Sequence, residues 1–198
     1  MAFFNRIRHA AFRYRGLTPI PFLLVATIFA SPVLWGLYTG LLLLTGGELL
    51  RFRAVSIVGS ETRTTRSPYG SRLVTTGPFG YLRNPMYAGN IMIYTGVGLM
   101  SMALFPWLQV AGLFFFITQY MLIISLEEEF LKSRFGRIYE EYSSRVNRFI
   151  PRFPAFSAEG TTGSDSKVGF RSEKRTLQAE LLVVALFVGL YLSSRGQG

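Results

Sequence analysis

Residues 73–90 read LVTTGPFGYLRNPMYAGN. They hold a Gly77-Pro78 turn, Tyr81, Tyr87, Arg83 and an Asn84-Pro85 step, and an apolar run follows at once. Gly-Pro sets a turn. Asn84 before Pro85 is an N-cap followed by a favoured first helical residue. Polar, aromatic and backbone-exposing groups therefore collect where the chain enters an apolar helix.

On either side, the apolar runs are too long for an ordinary soluble core. Of the 198 residues, 49% are hydrophobic, and 18 are phenylalanine. Composition and run length predict one multi-pass membrane domain over residues 1–198. Residues 1–16 carry Arg6, Arg8, Arg13 and Arg15 among aromatics and read as a basic segment on the membrane surface. Residues 17–50 are almost wholly apolar but broken at Ser31-Pro32. A single helix of that length would run about 50 Å against a hydrocarbon core of about 30 Å. Two helices fit, about 17–31 and 33–55. Glu48 in the second is costly unless paired, and Arg51, one turn on, is its expected partner.

Residues 59–76 are polar and basic and predict a loop. A third helix starts at Pro85 or Met86 and ends near Leu104. Its Gly89 and Gly96 share one face and admit a close neighbour. After a short uncharged turn, a fourth helix runs from Pro106 to about Leu126. Residues 127–147 continue as an amphipathic helix, with Leu131, Phe135, Ile138, Tyr139, Tyr142 and Val146 along one face. Residues 154–175 read as a flexible linker, and 177–193 as a possible fifth span.

Charge tests this layout. With five spans and a cytoplasmic N-terminus, 20 of the 21 lysines and arginines fall on the cytoplasmic side, as the positive-inside rule requires. The same distribution accounts for the net charge of +10 without nucleic acid. With no cysteine and a single histidine, His9, the chain has no disulfide framework, thiolate nucleophile or histidine-rich metal site.

The layout also brings two distant polar groups to one membrane face, because a tight hairpin joins the third and fourth helices. One group is residues 77–90. The other is Glu127-Glu128-Glu129. Each has a plain structural role: a helix cap, a turn, interface tyrosines, a solvated acidic run, and a Glu128 to Lys132 pair. Together they also suit a zwitterionic ligand. Arg83 can hold a carboxylate, Glu127 or Glu128 an ammonium, and the tyrosine faces an onium cation or a flat base. Backbone at Gly77 permits close approach. S-adenosylmethionine has all these groups, and a zwitterionic lipid head group also fits.

Residues 73–90, followed after the hairpin by EEEFLKSRFGRIYEEYSSRVNRFIPR at 127–152, resemble the isoprenylcysteine carboxyl methyltransferase and phospholipid methyltransferase family. The matching positions are Gly77, Arg83-Asn84-Pro85-Met86-Tyr87, Glu127-Glu128, Leu131, Phe135-Gly136, Tyr139 and Tyr142, within a methyltransferase core of about 71–152. The resemblance implies an integral membrane enzyme that uses S-adenosylmethionine at the cytoplasmic surface of a cell membrane. It implies a cofactor pocket lined by Leu73, Val74, Gly77, Tyr81, Arg83, Asn84, Tyr87, Glu127 and Glu128. It assigns no catalytic side chain, because in-line methyl transfer needs mainly positioning and desolvation. The implied acceptor is a membrane lipid or prenyl-like molecule reached from the bilayer.

Three positions depart from the family pattern. Asn84 replaces a common histidine, Ser71 stands where some members have one, and Ile123 stands where carboxyl-methylating members carry arginine. The last departure favours an amine or neutral acceptor over a prenylcysteine carboxylate. A lipid-binding membrane scaffold and a nicotinamide-dependent membrane reductase are the alternative readings.

Overall fold

The computed structural model describes residues 2–59, 73–156 and 165–196. Among these residues there are eight helices and no strand: α1 Ala2–Tyr14, α2 Pro19–Ile28, α3 Leu34–Val58, α4 Pro78–Tyr81, α5 Pro85–Ser101, α6 Trp107–Phe135, α7 Arg137–Arg145 and α8 Ser166–Arg195. The all-α expectation holds. Two helices, α6 and α8, are long and apolar enough to cross a membrane.

The central seam is α3 against α5, and glycine makes it possible. A Cβ on Gly47 or on Gly89 would lie 2.6 Å from the other's carbonyl oxygen, and Gly40 and Gly96 face each other as tightly. Only hydrogen at these positions lets two helix backbones approach so closely. The expected close neighbour of Gly89 and Gly96 is therefore α3. Around this seam, α1 and α5 pack on α6, α2 packs on α5, and α8 packs on α3. One apolar cluster joins Phe12, Tyr87, Phe116, Tyr120, Ile123 and Ile124. A second joins Leu37, Leu44, Ile93, Val97, Met100 and Phe187.

Several boundaries differ from the sequence expectation. The first apolar helix covers ten residues, Pro19–Ile28, not 17–31. Such a helix is about 15 Å long, half the hydrocarbon thickness. The third helix stops at Ser101, where Met102 adopts a left-handed conformation (φ 50°). The fourth does not end near Leu126: α6 runs through the three glutamates to Phe135. Gly136 (φ 50°) then breaks the chain before α7. That break removes Ile138 from the apolar face and exposes it, while Tyr139, Tyr142 and Val146 stay buried. In place of a linker reaching residue 175, α8 begins at Ser166. The Asp165 carboxylate caps it by accepting from the Lys167 and Val168 amides. The basic loop, with Ser71 and Arg72, lies outside the described residues except at its ends.

Candidate functional site

The short helix α4 and the start of α5 carry the opening motif. Gly77 takes φ 60°, a conformation glycine adopts without steric cost, and its α-carbon lies against Ile57. Pro78 and Pro85 occupy first helical turns. The segment is then fastened to residues 147–156 by backbone hydrogen bonds. The Arg83 amide donates to the Asn147 carbonyl (2.8 Å), Arg152 N to Tyr81 O (2.9 Å) and Phe156 N to Gly80 O (2.8 Å). Asn84 donates from its backbone amide (3.3 Å) and its side chain (3.4 Å) to the Arg148 carbonyl, so its own side chain caps no helix. The Tyr142 hydroxyl donates to Phe79 O at 2.7 Å. Burial first, and then Glu128, push the Tyr139 hydroxyl up to about 12. Burial and Tyr139 raise Tyr142 as well. Both phenols therefore remain donors at neutral pH.

The two polar groups meet. The Tyr87 hydroxyl donates to Glu127 Oε1 at 2.6 Å. Arg83 Nη2 lies 3.1 Å from Glu128 Oε1. Arg148 donates to Glu128 from Nε (3.0 Å to Oε1) and Nη2 (2.5 Å to Oε2). These hydrogen bonds raise the pKa of Arg148 further. Glu128 thus takes two arginines, in place of the expected Lys132. Glu129 pairs with Arg8 of α1 at 2.7 Å. Arg83 also donates from Nη1 to Ser143 O, and its Nε is buried without a hydrogen-bond partner.

Tyr87 opens onto a cavity of about 300 Å³ with Arg15, Arg51, Asn90, Tyr94, Tyr120 and Glu173. The Tyr87 and Tyr120 rings stack 4.8 Å apart. Arg51 donates to Asn90 Oδ1 (2.6 Å) and Glu173 Oε2 (2.7 Å). Gly77 and Tyr81 line a different cavity, of about 830 Å³, with Arg53, Ile57, Pro151 and Phe153. Leu73 packs beside Tyr139, Tyr142 and Val146, and Val74 is half-buried. The structure therefore joins Arg83 to Glu128 and Tyr87 to Glu127, and places Gly77 and Tyr81 elsewhere.

Sequence reading missed Arg51, Asn90, Tyr94, Tyr120 and Arg148 as neighbours of this site. Three of them had a signal. Asn90 and Tyr94 follow Tyr87 at three and seven residues, and Tyr120 precedes Glu127 by seven, so helical spacing puts each on a shared face. Arg51 and Arg148 had no such signal, since only tertiary packing brings them here. Ile123 is fully buried in the core beside Tyr87 and Tyr120. The cations facing the Tyr87 cavity are Arg15 and Arg51, not Arg72, Arg134 or Arg137, which sequence reading took as substitutes.

Comparison with known proteins meets the same residues. The chain is 33% identical over 136 residues to the cobalt-zinc-cadmium resistance protein CzcN of Cupriavidus metallidurans, covering 67% of this chain and 56% of that protein. It is 34% identical over 117 residues to a probable protein-S-isoprenylcysteine O-methyltransferase of Oryza sativa, covering 58% and 60%. It is 31% identical over 123 residues to protein-S-isoprenylcysteine O-methyltransferase B of Arabidopsis thaliana, covering 57% of each. The chain thus spans under two thirds of the length of each of these relatives. No solved structure matches it significantly. The phospholipid methyltransferase family model matches residues 35–138, which include the α3–α5 seam and the Tyr87–Glu127 and Arg83–Glu128 pairs; over more than half its length this membrane protein carries the family's pattern, and it belongs to the phospholipid methyltransferase family.

Proposed function

We propose that the chain transfers a methyl group from S-adenosylmethionine to a lipophilic acceptor at the cytoplasmic face of a membrane. One observation carries this reading. Arg83, Tyr87, Glu127 and Glu128, some forty residues apart in sequence, pair across the α5–α6 hairpin beside a polar, aromatic cavity. When bound, the cofactor supplies an electrophilic methyl group on a sulfonium. The residues present fit it. Arg83 Nε is a buried donor with no partner, suited to a carboxylate. Glu127 is an acceptor for an ammonium. The faces of Tyr87 and Tyr120 suit a sulfonium or an adenine. Asn84 secures the turn that presents Arg83. Leu73, Val74, Gly77 and Tyr81 complete the proposed site from the side of the larger cavity.

The acceptor site needs no nucleophile from the protein. Its work is to hold two reactants in line and exclude water, which favours methyl transfer through orientation. In this reading five segments (α2, α3, α5, α6 and α8) belong to the bilayer, and α7 lies on its cytoplasmic surface. Support comes from the charge bias of the sequence.

Titration of purified protein with S-adenosylmethionine or its demethylated product tests the cofactor, and the expected result is saturable binding to one site. Labelled methyl donor supplied to membranes, followed by mass spectrometry of the lipids, identifies the acceptor. Absence of binding by either cofactor form overturns the reading. Reporters fused after Phe156 and after Gly198 should lie on opposite sides of the membrane; both on one side would remove α8 as a span.

A further inference from the structure

A cleft of about 440 Å³ lies between α3 and α8. Its walls are apolar, among them Leu41, Leu44, Phe52 and Leu181, and Leu41 and Leu181 are exposed at its rim. Two carboxyls interrupt this lining: Glu48 from α3 and Glu180 from α8. The Glu48 side chain is only 9% exposed, and Glu180 is as deeply buried. Three of their oxygens, both of Glu48 and Oε1 of Glu180, are buried without a hydrogen-bond partner.

The expected partner of Glu48 does not satisfy it. Arg51 Nε stands 3.9 Å from Glu48 Oε2, beyond hydrogen-bond distance. The arginine is turned instead to Asn90 and Glu173. No lysine or arginine lines the cleft. Two carboxylates side by side in apolar surroundings cannot both stay ionised, so the pair holds one proton and one negative charge. What would satisfy it is one positive charge with N–H donors, attached to an apolar chain.

A primary ammonium brings three N–H donors, equal in number to the three orphan oxygens. We propose that the α3–α8 cleft binds a lipophilic primary amine, its ammonium donating to Glu48 and Glu180 and its chain lying along Leu41, Leu44 and Leu181. The chemistry discriminates. A quaternary ammonium has the charge but no N–H. A fatty acid meets like charge. A zwitterionic phospholipid head group brings a phosphate to a cleft with no cation on its lining. The site stands independently of methyl transfer, since Glu180 lies beyond the segment that the family model matches.

The test uses the full chain in phosphatidylcholine nanodiscs, with dodecylamine as probe and dodecanol, dodecyltrimethylammonium and lauric acid as controls. Bound ligand is counted by native mass spectrometry over a concentration series. The expected result is one dodecylamine, held about tenfold or more tightly than any control. Glu48→Gln and Glu180→Gln should each weaken it about tenfold. Equal binding of dodecanol would reduce the cleft to an apolar groove and overturn the proposal, as would undiminished amine binding by the double glutamine variant. Should a glutamine variant lose its helical circular dichroism, Leu181→Trp, at the exposed rim, takes its place. That variant should weaken amine binding by filling the cleft, and unchanged affinity counts against the site.

Discussion

Glu128 and Glu48 are both shielded acids on long helices, and their surroundings could hardly differ more. Glu128 receives hydrogen bonds from Arg148 and an ion pair from Arg83. Glu48 receives no hydrogen bond. Around Glu128 the protein has supplied the partners that a buried charge requires, and the result is a rigid network that joins residues 83, 128 and 148. Around Glu48 it has left the requirement open in an apolar cleft. A satisfied network holds a site in shape; an unsatisfied group beside open volume marks where something else binds. The two regions lie on opposite flanks of α5, one facing α6 and the other beyond α3.

The largest effect should come from breaking the satisfied network. Glu128→Ala leaves two arginines without their shared anion, and losing one partner of a buried pair costs about 3–5 kcal/mol. Unfolding by denaturant in a mild detergent should show that loss. Next in size is Arg83→Ala. Glu128 keeps Arg148 in this variant, so the fold should survive. Binding of S-adenosylmethionine should weaken about tenfold or more, for a charge-assisted contact of about 1.5–3 kcal/mol. Unchanged binding in a folded variant removes Arg83 from the proposed cofactor site.

Glu48→Leu should act in the opposite direction. It removes an unpartnered polar group from apolar surroundings and relieves Glu180 of a like neighbour, for a gain of about 1–3 kcal/mol. Destabilisation on the scale of Glu128→Ala would erase the distinction between the two regions. The smallest effect belongs to the solvated reference, Arg145→Ala. Its pair with Glu141, at 3.0 Å, has both side chains more than half exposed. Its loss should cost about 0.3–0.5 kcal/mol and should shrink further in salt.

Where the chain's own local chemistry decides, the sequence was sufficient. The long apolar runs determined a helical membrane protein. Ser31-Pro32 separated α2 from α3, and Asn84-Pro85 marked the start of α5. The spacing of Gly89 and Gly96 announced a close helical neighbour, because only glycine leaves room for a backbone. Two ordered motifs, 73–90 and 127–152, pointed to the family. Local signals misled where continuity was at stake: the acidic run did not end α6, since Glu127 and Glu128 find Tyr87, Arg83 and Arg148 and need no water, and Gly136 broke the helix nine residues later.

Tertiary structure alone decided which charges meet. Glu128 could have paired with Lys132 one turn away; it pairs instead with arginines 45 residues before it and 20 after. Arg51 could have answered Glu48 one turn away; it turns instead to Asn90 and Glu173. Local spacing states which partners are within reach along a helix. The choice among them depends on burial, because a charge removed from water takes the partner that satisfies the most hydrogen bonds, and that partner comes from wherever packing has brought it. The same packing put Glu180 of α8 beside Glu48, a juxtaposition across 132 residues that no pattern in the sequence encodes.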